Sequence, residues 1–262
     1  MINNKPLKRF GQNYLIDKNI VRKIISAIAP KIDDEIIEIG PGNGALTEFV
    51  SELTDNFTIV EIDKRKIETL QKSFPNVRII NEDFLKVDLN KFYSGKPIRI
   101  IGNIPYNLTS PIIFKSIENH RIIYDAHLMV QYEVAKRMTA KKGEKDYGIF
   151  AVLLNYFSEV EFLFKVSPNV FYPKPKVFSA VVRLKFKNEK RVVDDSFFIS
   201  VVKAAFGNRR KTLKNSLSNS IFVNCVFGNS PVDLSRRAES LTVDEFIQLA
   251  SYLKSNCNAK SE

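Results

Sequence analysis

The sequence has few residues that suit a metal site, and it has no long apolar run. There are two cysteines, Cys225 and Cys257, and two histidines, His120 and His127. The cysteines lie far from any Cys-x-x-Cys spacing and the histidines stand apart from them, so we expect neither a zinc site nor a disulfide framework. Residues 1–9 are polar and basic, without the apolar core of a leader peptide. These absences predict no metal, no membrane association and a reducing, cytoplasmic location.

Acidic residues are outnumbered in this chain. Its 262 residues include 40 Lys and Arg against 29 Asp and Glu, which gives a formal net charge of +11, and 44% are hydrophobic. This composition predicts a globular protein with a substantial core and a polyanion as the first candidate partner. The excess begins early, because residues 1–31 hold seven Lys or Arg and a single acid, Asp17. Lys8 and Arg9 of this basic arm are candidate nucleic-acid contacts.

A glycine-rich turn follows the first apolar strand pattern. The strand at 35–39 leads into Gly40-Pro41-Gly42-Asn43-Gly44 and then into a helical pattern, which is the first half of a nucleotide-binding βαβ unit. Gly40 and Gly42 would let the backbone approach a ligand closely. Glu61 ends the second strand about 20 residues later, where an acid commonly binds both ribose hydroxyls. The turn also matches the dinucleotide pattern loosely, so a dehydrogenase stays open at this point.

A third short strand leads to Asp83 and Phe84. The carboxylate is a candidate acceptor for an adenine amine and the ring a candidate surface for the purine, although Asp is also a common turn residue.

The fourth strand, at 98–103, carries the most unusual chemistry. It ends in Asn103-Ile104-Pro105-Tyr106, which offers amide and backbone acceptors, a rigid turn and an aromatic ring, but no acid, base or thiol. Because Pro105 fixes its own φ and favours an extended Ile104, the side-chain oxygen of Asn103 and the carbonyl of Ile104 can converge on one amine. Tyr106 would stack on a planar base. The alternative is a helix-capping Asn and a core Tyr.

Two β-rich runs, at about 153–164 and 178–186, flank a loop with prolines at 173 and 175. The prolines predict a stiff extended connection that presents Phe171 beside Lys174 and Lys176. A fixed ring next to cations fits a nucleobase and its phosphate. A core Phe171 is the alternative.

A charged, turn-like segment at 187–195 predicts a linker, and the pattern after it is helical. We therefore expect a catalytic domain at 1–187 and a small all-α domain at 188–262. The second domain carries Arg209, Arg210 and Lys211, a compact basic block that is a candidate phosphate contact.

As an ordered set, these motifs resemble the ribosomal RNA adenine N6,N6-dimethyltransferase family. The resemblance is carried by Phe10-Gly11-Gln12-Asn13-Tyr14-Leu15, Glu38-Ile39-Gly40-Pro41-Gly42, Gly102-Asn103-Ile104-Pro105-Tyr106-Asn107, Val130-Gln131-Tyr132-Glu133-Val134-Ala135, Phe171-Tyr172-Pro173-Lys174-Pro175-Lys176-Val177 and Phe206-Gly207-Asn208-Arg209-Arg210-Lys211.

The resemblance implies an α/β, Rossmann-like class I methyltransferase sheet with helices on both faces. It implies S-adenosylmethionine as cofactor, and it assigns cofactor contacts to Asn13, Leu15, Gly40, Gly42, Glu61, Asp83 and Asn103. The catalytic set is Asn103, Ile104, Pro105, Tyr106 and Phe171, with Tyr106 and Phe171 enclosing a flipped adenine.

Two branches of that family fit. One methylates two adjacent adenines near the 3′ end of small-subunit (16S) ribosomal RNA. We expect this activity here, from a monomer that acts on an assembling 30S particle. The other methylates one adenine of large-subunit (23S) RNA and confers macrolide resistance. Tyr132 stands where the first branch is expected to carry Lys. A non-catalytic RNA-binding assembly factor and a DNA adenine methyltransferase are further alternatives.

Overall fold

The computed structural model describes residues 11–189, 193–208 and 210–257. The strands are β1 (Tyr14–Leu15), β2 (Glu35–Ile39), β3 (Asn56–Val60), β4 (Arg78–Ile80), β5 (Ile98–Asn103), β6 (Ile123–Gln131), β7 (Ser158–Val166), β8 (Phe171–Tyr172) and β9 (Ser179–Phe186). The α-helices are α1 (Lys18–Ile28), α2 (Thr47–Val50), α3 (Lys64–Ser73), α4 (Thr109–Glu118), α5 (Tyr132–Thr139), α6 (Ile149–Phe157), α7 (Asp195–Phe206), α8 (Leu213–Ser218) and α9 (Val243–Cys257).

Seven strands form one mixed sheet in the order β4-β3-β2-β5-β6-β9-β7. Strands β2 to β6 pair in parallel, and β9 runs antiparallel to β6. Because parallel strands share one carboxyl edge, the turns after β2, β3, β4 and β5 meet on the same side of the sheet. The predicted α/β sheet is confirmed, and with it the convergence of the predicted motifs.

The described residues fall into two compact units. The first contains the described residues up to Ala135 together with Glu159–Lys187, and the second contains Lys136–Ser158 together with the described residues from Asn188 onward. The expected break after residue 187 coincides with one of these divisions. The segment 136–158 differs from the expectation, because it lies inside the sequence of the first domain but packs with the helices of the second.

Helix α6 explains that difference and corrects one prediction. The run at 153–164 was expected to be a strand, but Leu153 lies in α6 and the strand β7 begins only at Ser158. Six of the nine residues of α6 are buried, so its apolar residues surround the helix and leave no helical period to recognise. The helix packs against α7 and α9.

The amino-terminal end of β5 is anchored by Arg99. Its guanidinium donates to Asp125 over 2.9 and 2.8 Å and to Asp34 over 2.7 Å, and it also reaches the carbonyl oxygen of Ile28 at 2.7 Å. The group joins β5, β6, the end of α1 and the turn before β2. The strand that carries Asn103 is therefore fixed at its far end.

The two cysteines form a disulfide in the second unit. Cys257 ends α9 and is bonded to Cys225, with the two Cα atoms 4.5 Å apart. The expectation of unpaired cysteines is therefore wrong, because the fold brings together residues whose sequence spacing has no recognisable pattern. Within the described ranges, no helix is both long and apolar enough to cross a bilayer.

Candidate active site

The predicted site residues meet in one cavity at the carboxyl edge of the sheet. Those that line it are Asn13, Leu15, Gly40, Gly42, Glu61, Asp83, Asn103, Ile104, Pro105 and Tyr106. They come from four strand ends and from the segment that precedes α1. In the described part of the chain, no cluster of three or more His, Cys, Asp or Glu could hold a metal ion.

Asn103 is oriented by a backbone contact. Its side-chain nitrogen donates to the carbonyl oxygen of Asn13 over 2.8 Å. Because the nitrogen and oxygen of an amide point in different directions, a nitrogen that donates to Asn13 leaves the side-chain oxygen as an acceptor for another donor. The neighbouring Ile104 side chain is buried, at 1% exposure, which fixes the backbone of the turn.

Tyr106 is held by its hydroxyl group. The phenolic oxygen lies 2.7 Å from the hydroxyl oxygen of Ser179, at the start of β9. Burial raises the pKa of Tyr106, and the hydrogen bond to Ser179 opposes that rise. The ring is therefore a neutral, positioned wall of the cavity and suits stacking on a base.

Glu61 is clamped between two backbone amides. One carboxylate oxygen accepts from the amide of Gly42 at 3.3 Å and the other from the amide of Asp63 at 2.8 Å. Burial raises the pKa of Glu61, and the two amide donors oppose the shift. Each oxygen keeps further acceptor capacity, so the group can receive a pair of hydroxyls.

Asp83 lies three residues beyond the end of β4 and begins a short 3-10 turn. One of its oxygens accepts from the amide of Leu85 at 3.0 Å. Phe84 is buried at 5% exposure and lines the cavity. The arrangement places an acceptor beside an apolar wall, as an aminopurine ring requires.

The segment 11–15 closes over the glycine turn through contacts that the sequence did not predict. The Gln12 amide donates to Asp63 over 3.2 Å. A Cβ on Gly42 would lie 2.8 Å from the Tyr14 ring, so the glycine is needed for close packing as well as for its φ of +60°. The Lys66 ammonium lies 4.6 Å from the centre of the same ring. The residues of each contact are distant in the sequence, and no local pattern predicts that they meet.

The cavity fits S-adenosylmethionine. Gly40 has a φ of +62°, and a Cβ there would project where no protein atom lies within 4 Å, so the backbone is open toward a ligand. Ile62 follows Glu61, lines the cavity and is 45% exposed, which offers an apolar surface beside a hydroxyl acceptor. That pairing suits a nucleoside.

Phe171 is placed differently from the other predicted catalytic residues. It is 3% exposed, belongs to the hydrophobic core and pairs with Leu15 across β8 and β1, and it is absent from the cavity lining. The structure thus brings Phe171 next to the wall of the cavity rather than into it. Its stacking on adenine stays a prediction.

The predicted RNA contacts are distributed over both units. Lys174 and Lys176 are exposed in the first unit, and Arg210 and Lys211 are exposed in the second. Lys8, Arg9 and Arg209 lie outside the described residues.

Comparison with known proteins agrees with this geometry. Residues 3–255 match the family described as ribosomal RNA adenine dimethylase. A ribosomal RNA small subunit methyltransferase A from Chlorobium phaeobacteroides is 46% identical over 247 residues, covering 94% of this chain and 91% of that protein. A dimethyladenosine transferase from Plasmodium falciparum superposes with a TM-score of 0.76 at 27% identity, covering 90% of this chain and 95% of the other. The 23S rRNA methyltransferase ErmE superposes with a TM-score of 0.70 at 25% identity, covering 92% and 100%. The chain belongs to the ribosomal RNA adenine dimethylase family.

Proposed function

We propose that this protein transfers methyl groups from S-adenosylmethionine to N6 of two adjacent adenines near the 3′ end of small-subunit (16S) ribosomal RNA. The observation that carries the proposal is the hydrogen bond of Asn103, a residue of the cavity lining whose side-chain nitrogen donates to Asn13, which leaves its oxygen as an acceptor. An amide oxygen there accepts a hydrogen from an exocyclic amine.

The residues of the chain act by positioning. The N6 lone pair of adenine is delocalised into the ring and is a poor nucleophile. In the first transfer, Asn103 and the Ile104 carbonyl would accept the two N6 hydrogens and favour a pyramidal nitrogen whose lone pair points along one direction. In the second transfer the nitrogen has one hydrogen left for these acceptors, and the pocket must also hold the first methyl group. Holding that geometry supplies much of the rate enhancement. A dedicated base is unnecessary, because the alkylated nitrogen loses its proton readily.

The base must leave its stack before it enters the cavity. Unstacking costs a few kcal/mol, and stacking on an aromatic ring such as Tyr106 returns about 1–3 kcal/mol. When bound, S-adenosylmethionine would supply the electrophilic methyl group, whose bond to sulfur breaks as the bond to N6 forms, with S-adenosylhomocysteine as the leaving group. Glu61 would bind its ribose hydroxyls, Asp83 its adenine amine, and Gly40 would give the backbone room to approach.

The small-subunit substrate is favoured over the large-subunit one by similarity. Identity to the small-subunit relative is 46% over nearly the whole chain, against 25% to the 23S enzyme. A non-catalytic assembly factor is disfavoured because the glycine turn, Glu61 and Asn103 are all in place. A dehydrogenase is disfavoured because residues 104–108, the turn after β5, contain no His, Lys, Asp or Glu for proton transfer.

We infer that the enzyme acts in the cytoplasm, as a monomer, on RNA within an assembling 30S particle. In that reducing compartment we expect Cys225 and Cys257, which are bonded in this structure, to be present as thiols. Both the net charge of +11 and the exposed Lys174 and Lys176 support a large polyanionic substrate.

The test uses methyl-labelled cofactor and immature small subunits from cells that lack the modification. We expect label in the 3′ segment of the 16S RNA, with mass spectrometry identifying dimethyladenine at two adjacent positions. Large-subunit RNA and duplex DNA serve as parallel substrates. Label in either of these instead of 16S RNA would contradict the proposal, and cofactor affinity too weak to measure would favour the assembly factor.

A further inference from the structure

Three aromatic rings and a lysine lie together at the carboxyl edge of the sheet, outside the cavity. We call this group of Tyr132, Phe162, Lys165 and Phe178 the rim cluster. The ring centres of Tyr132 and Phe162 are 6.0 Å apart in an edge-to-face arrangement. The Lys165 ammonium lies 3.9 Å from the centre of the Phe178 ring and 4.6 Å from that of Tyr132.

The rim cluster is open to solvent. Phe162 is 38% exposed and Phe178 is 46% exposed, and Lys165 is exposed as well. Single exposed apolar side chains are common, but a contiguous group of large ones indicates a binding surface. The rings keep their own contacts and still present area to a ligand.

The chemistry of the rim cluster fits a nucleotide. Aromatic rings stack on any nucleobase, and a lysine beside them attracts the phosphate. An ammonium over aromatic faces gains about 0.5–1 kcal/mol of cation–π attraction at an exposed site, which favours this position of Lys165 beside the rings. The centre of a protein-binding surface usually has few charged residues. In the rim cluster, by contrast, a lysine contacts two of the rings.

The rim cluster adjoins the place of reaction. The backbone amide of Tyr132 donates to the carbonyl oxygen of Phe178 over 2.9 Å. Phe178 immediately precedes Ser179, whose hydroxyl contacts that of the cavity residue Tyr106. Consecutive Cα atoms are about 3.8 Å apart, so one hydrogen bond and one residue step separate Tyr106 from the exposed Phe178. When one base enters the cavity, its neighbours in the RNA stay outside, at this edge.

Tyr132 provides a second ring at this surface. The ammonium of Lys165 lies over it as well as over Phe178, so the rim cluster combines one cation with two neighbouring rings.

From this arrangement we infer that the rim cluster binds the unpaired nucleotide that flanks the target adenine, by stacking on Phe178 and Tyr132 and pairing its phosphate with Lys165. This inference rests on the proposed function for the identity of the RNA. It assigns the rings a role in substrate binding that the cavity residues do not have.

The test places a fluorescent base next to the target. Small-subunit RNA is ligated so that 2-aminopurine replaces the nucleotide beside the adenine pair, on either side in separate samples, and is reconstituted into particles. Stacking quenches 2-aminopurine fluorescence. We expect the wild type to quench one of the two samples.

Phe178→Ala is expected to abolish that quenching and to raise the Kd for the particle about 5- to 150-fold, which corresponds to the loss of one stacked base. Phe178→Tyr should restore both. Tyr124→Ala is the matched control, because Tyr124 is 44% exposed and lies near the opposite end of β6. Cofactor affinity and melting temperature, measured on every variant, report whether the fold is intact.

Two results would overturn the inference. One is a wild type that quenches neither sample, and the other is a Phe178→Ala variant that quenches and binds like the Tyr124→Ala control, which would assign the rings to another kind of partner. Failure of the proposed function is seen separately, as absent methyl transfer by the wild type. The fluorescence readout needs no transfer and decides the inference in either case.

Discussion

Asn103 and Asn13 are joined by a 2.8 Å hydrogen bond from a side-chain amide to a backbone carbonyl. The residues are 90 positions apart in the sequence, and the bond connects the tip of β5 to the segment that covers the glycine turn. The contact occupies the side-chain nitrogen of Asn103 and leaves its oxygen as an acceptor. A bond that takes no part in the proposed chemistry thus orients a residue that does.

Asn103→Ala should lower kcat for methyl transfer by about 100- to 1000-fold, the usual cost of removing one positioned hydrogen-bonding group that acts on the reacting centre. Initial rates at saturating labelled cofactor and saturating particle measure it. Asn107→Ala is the matched control, since Asn107 is exposed in the same turn. An unchanged kcat for Asn103→Ala would remove the residue from the mechanism.

Phe171→Ala should lower the free energy of unfolding by about 3–5 kcal/mol, because a buried ring is lost from the core. Phe171→Leu keeps much of the volume, and we expect it to fold. If the ring also stacks on adenine, this variant should lose transfer about 5- to 150-fold.

Phe57→Leu is the control for Phe171→Leu, since Phe57 is 5% exposed and belongs to the same core. Denaturant unfolding and transfer rates are measured on both. Equal transfer by the two variants would restrict Phe171 to a packing role.

Glu38 should make the stability of the protein depend on pH. Burial raises its pKa from 4.5 to about 8, although the Thr47 hydroxyl donates to it over 2.7 Å. The folded state therefore holds the proton more tightly than the unfolded state does. Its contribution to stability is complete below about pH 4.5 and is lost as the pH rises toward about 8.

Glu38→Gln keeps an acceptor for Thr47 but cannot ionise. In cofactor-free protein, we expect its stability relative to the wild type to increase between pH 5 and pH 8.5, as measured by denaturant unfolding. Glu48→Gln, at an exposed position of α2, should show no such trend. A constant difference across the range would mean that Glu38 is ionised in the folded state.

Cys225→Ser should lower the free energy of unfolding in oxidising buffer by about 3–4 kcal/mol, the chain-entropy value for a loop of this size. The sequence separation is 32 residues. In reducing buffer the variant and the wild type should be equally stable. Cys257→Ser is the matched variant, and the double variant should add no further loss; additive losses would show that each thiol contributes by packing alone.

Local patterns in the sequence were sufficient to predict the parallel strands and the residues at their carboxyl ends that line the cavity. Gly40, Glu61 and Asp83 follow three of the parallel strands and Asn103 ends a fourth, and parallel pairing alone brings them to one edge. The helical identity of residues 153–157 was not recoverable, because an all-apolar run has no period.

Long-range pairs were equally inaccessible from the sequence. The hydrogen bond from Gln12 to Asp63 and the contact of the Lys66 ammonium with the Tyr14 ring have no local sequence pattern that would predict them. The same holds for the disulfide between Cys225 and Cys257. Burial of Phe171 depends on its pairing with Leu15, which no spacing rule reveals.

Gly102 has one further consequence. A Cβ at this position would lie 2.8 Å from the carbonyl oxygen of Ile39, the last residue of β2 before the glycine turn. The close spacing of β2 and β5, next to the glycine turn on one strand and Asn103 on the other, thus depends on the absence of a Cβ at Gly102. A larger residue at 102 would require the backbone of Ile39 to move, which no change of side chain at position 39 supplies, so we expect Gly102→Ala to displace either β2 or β5.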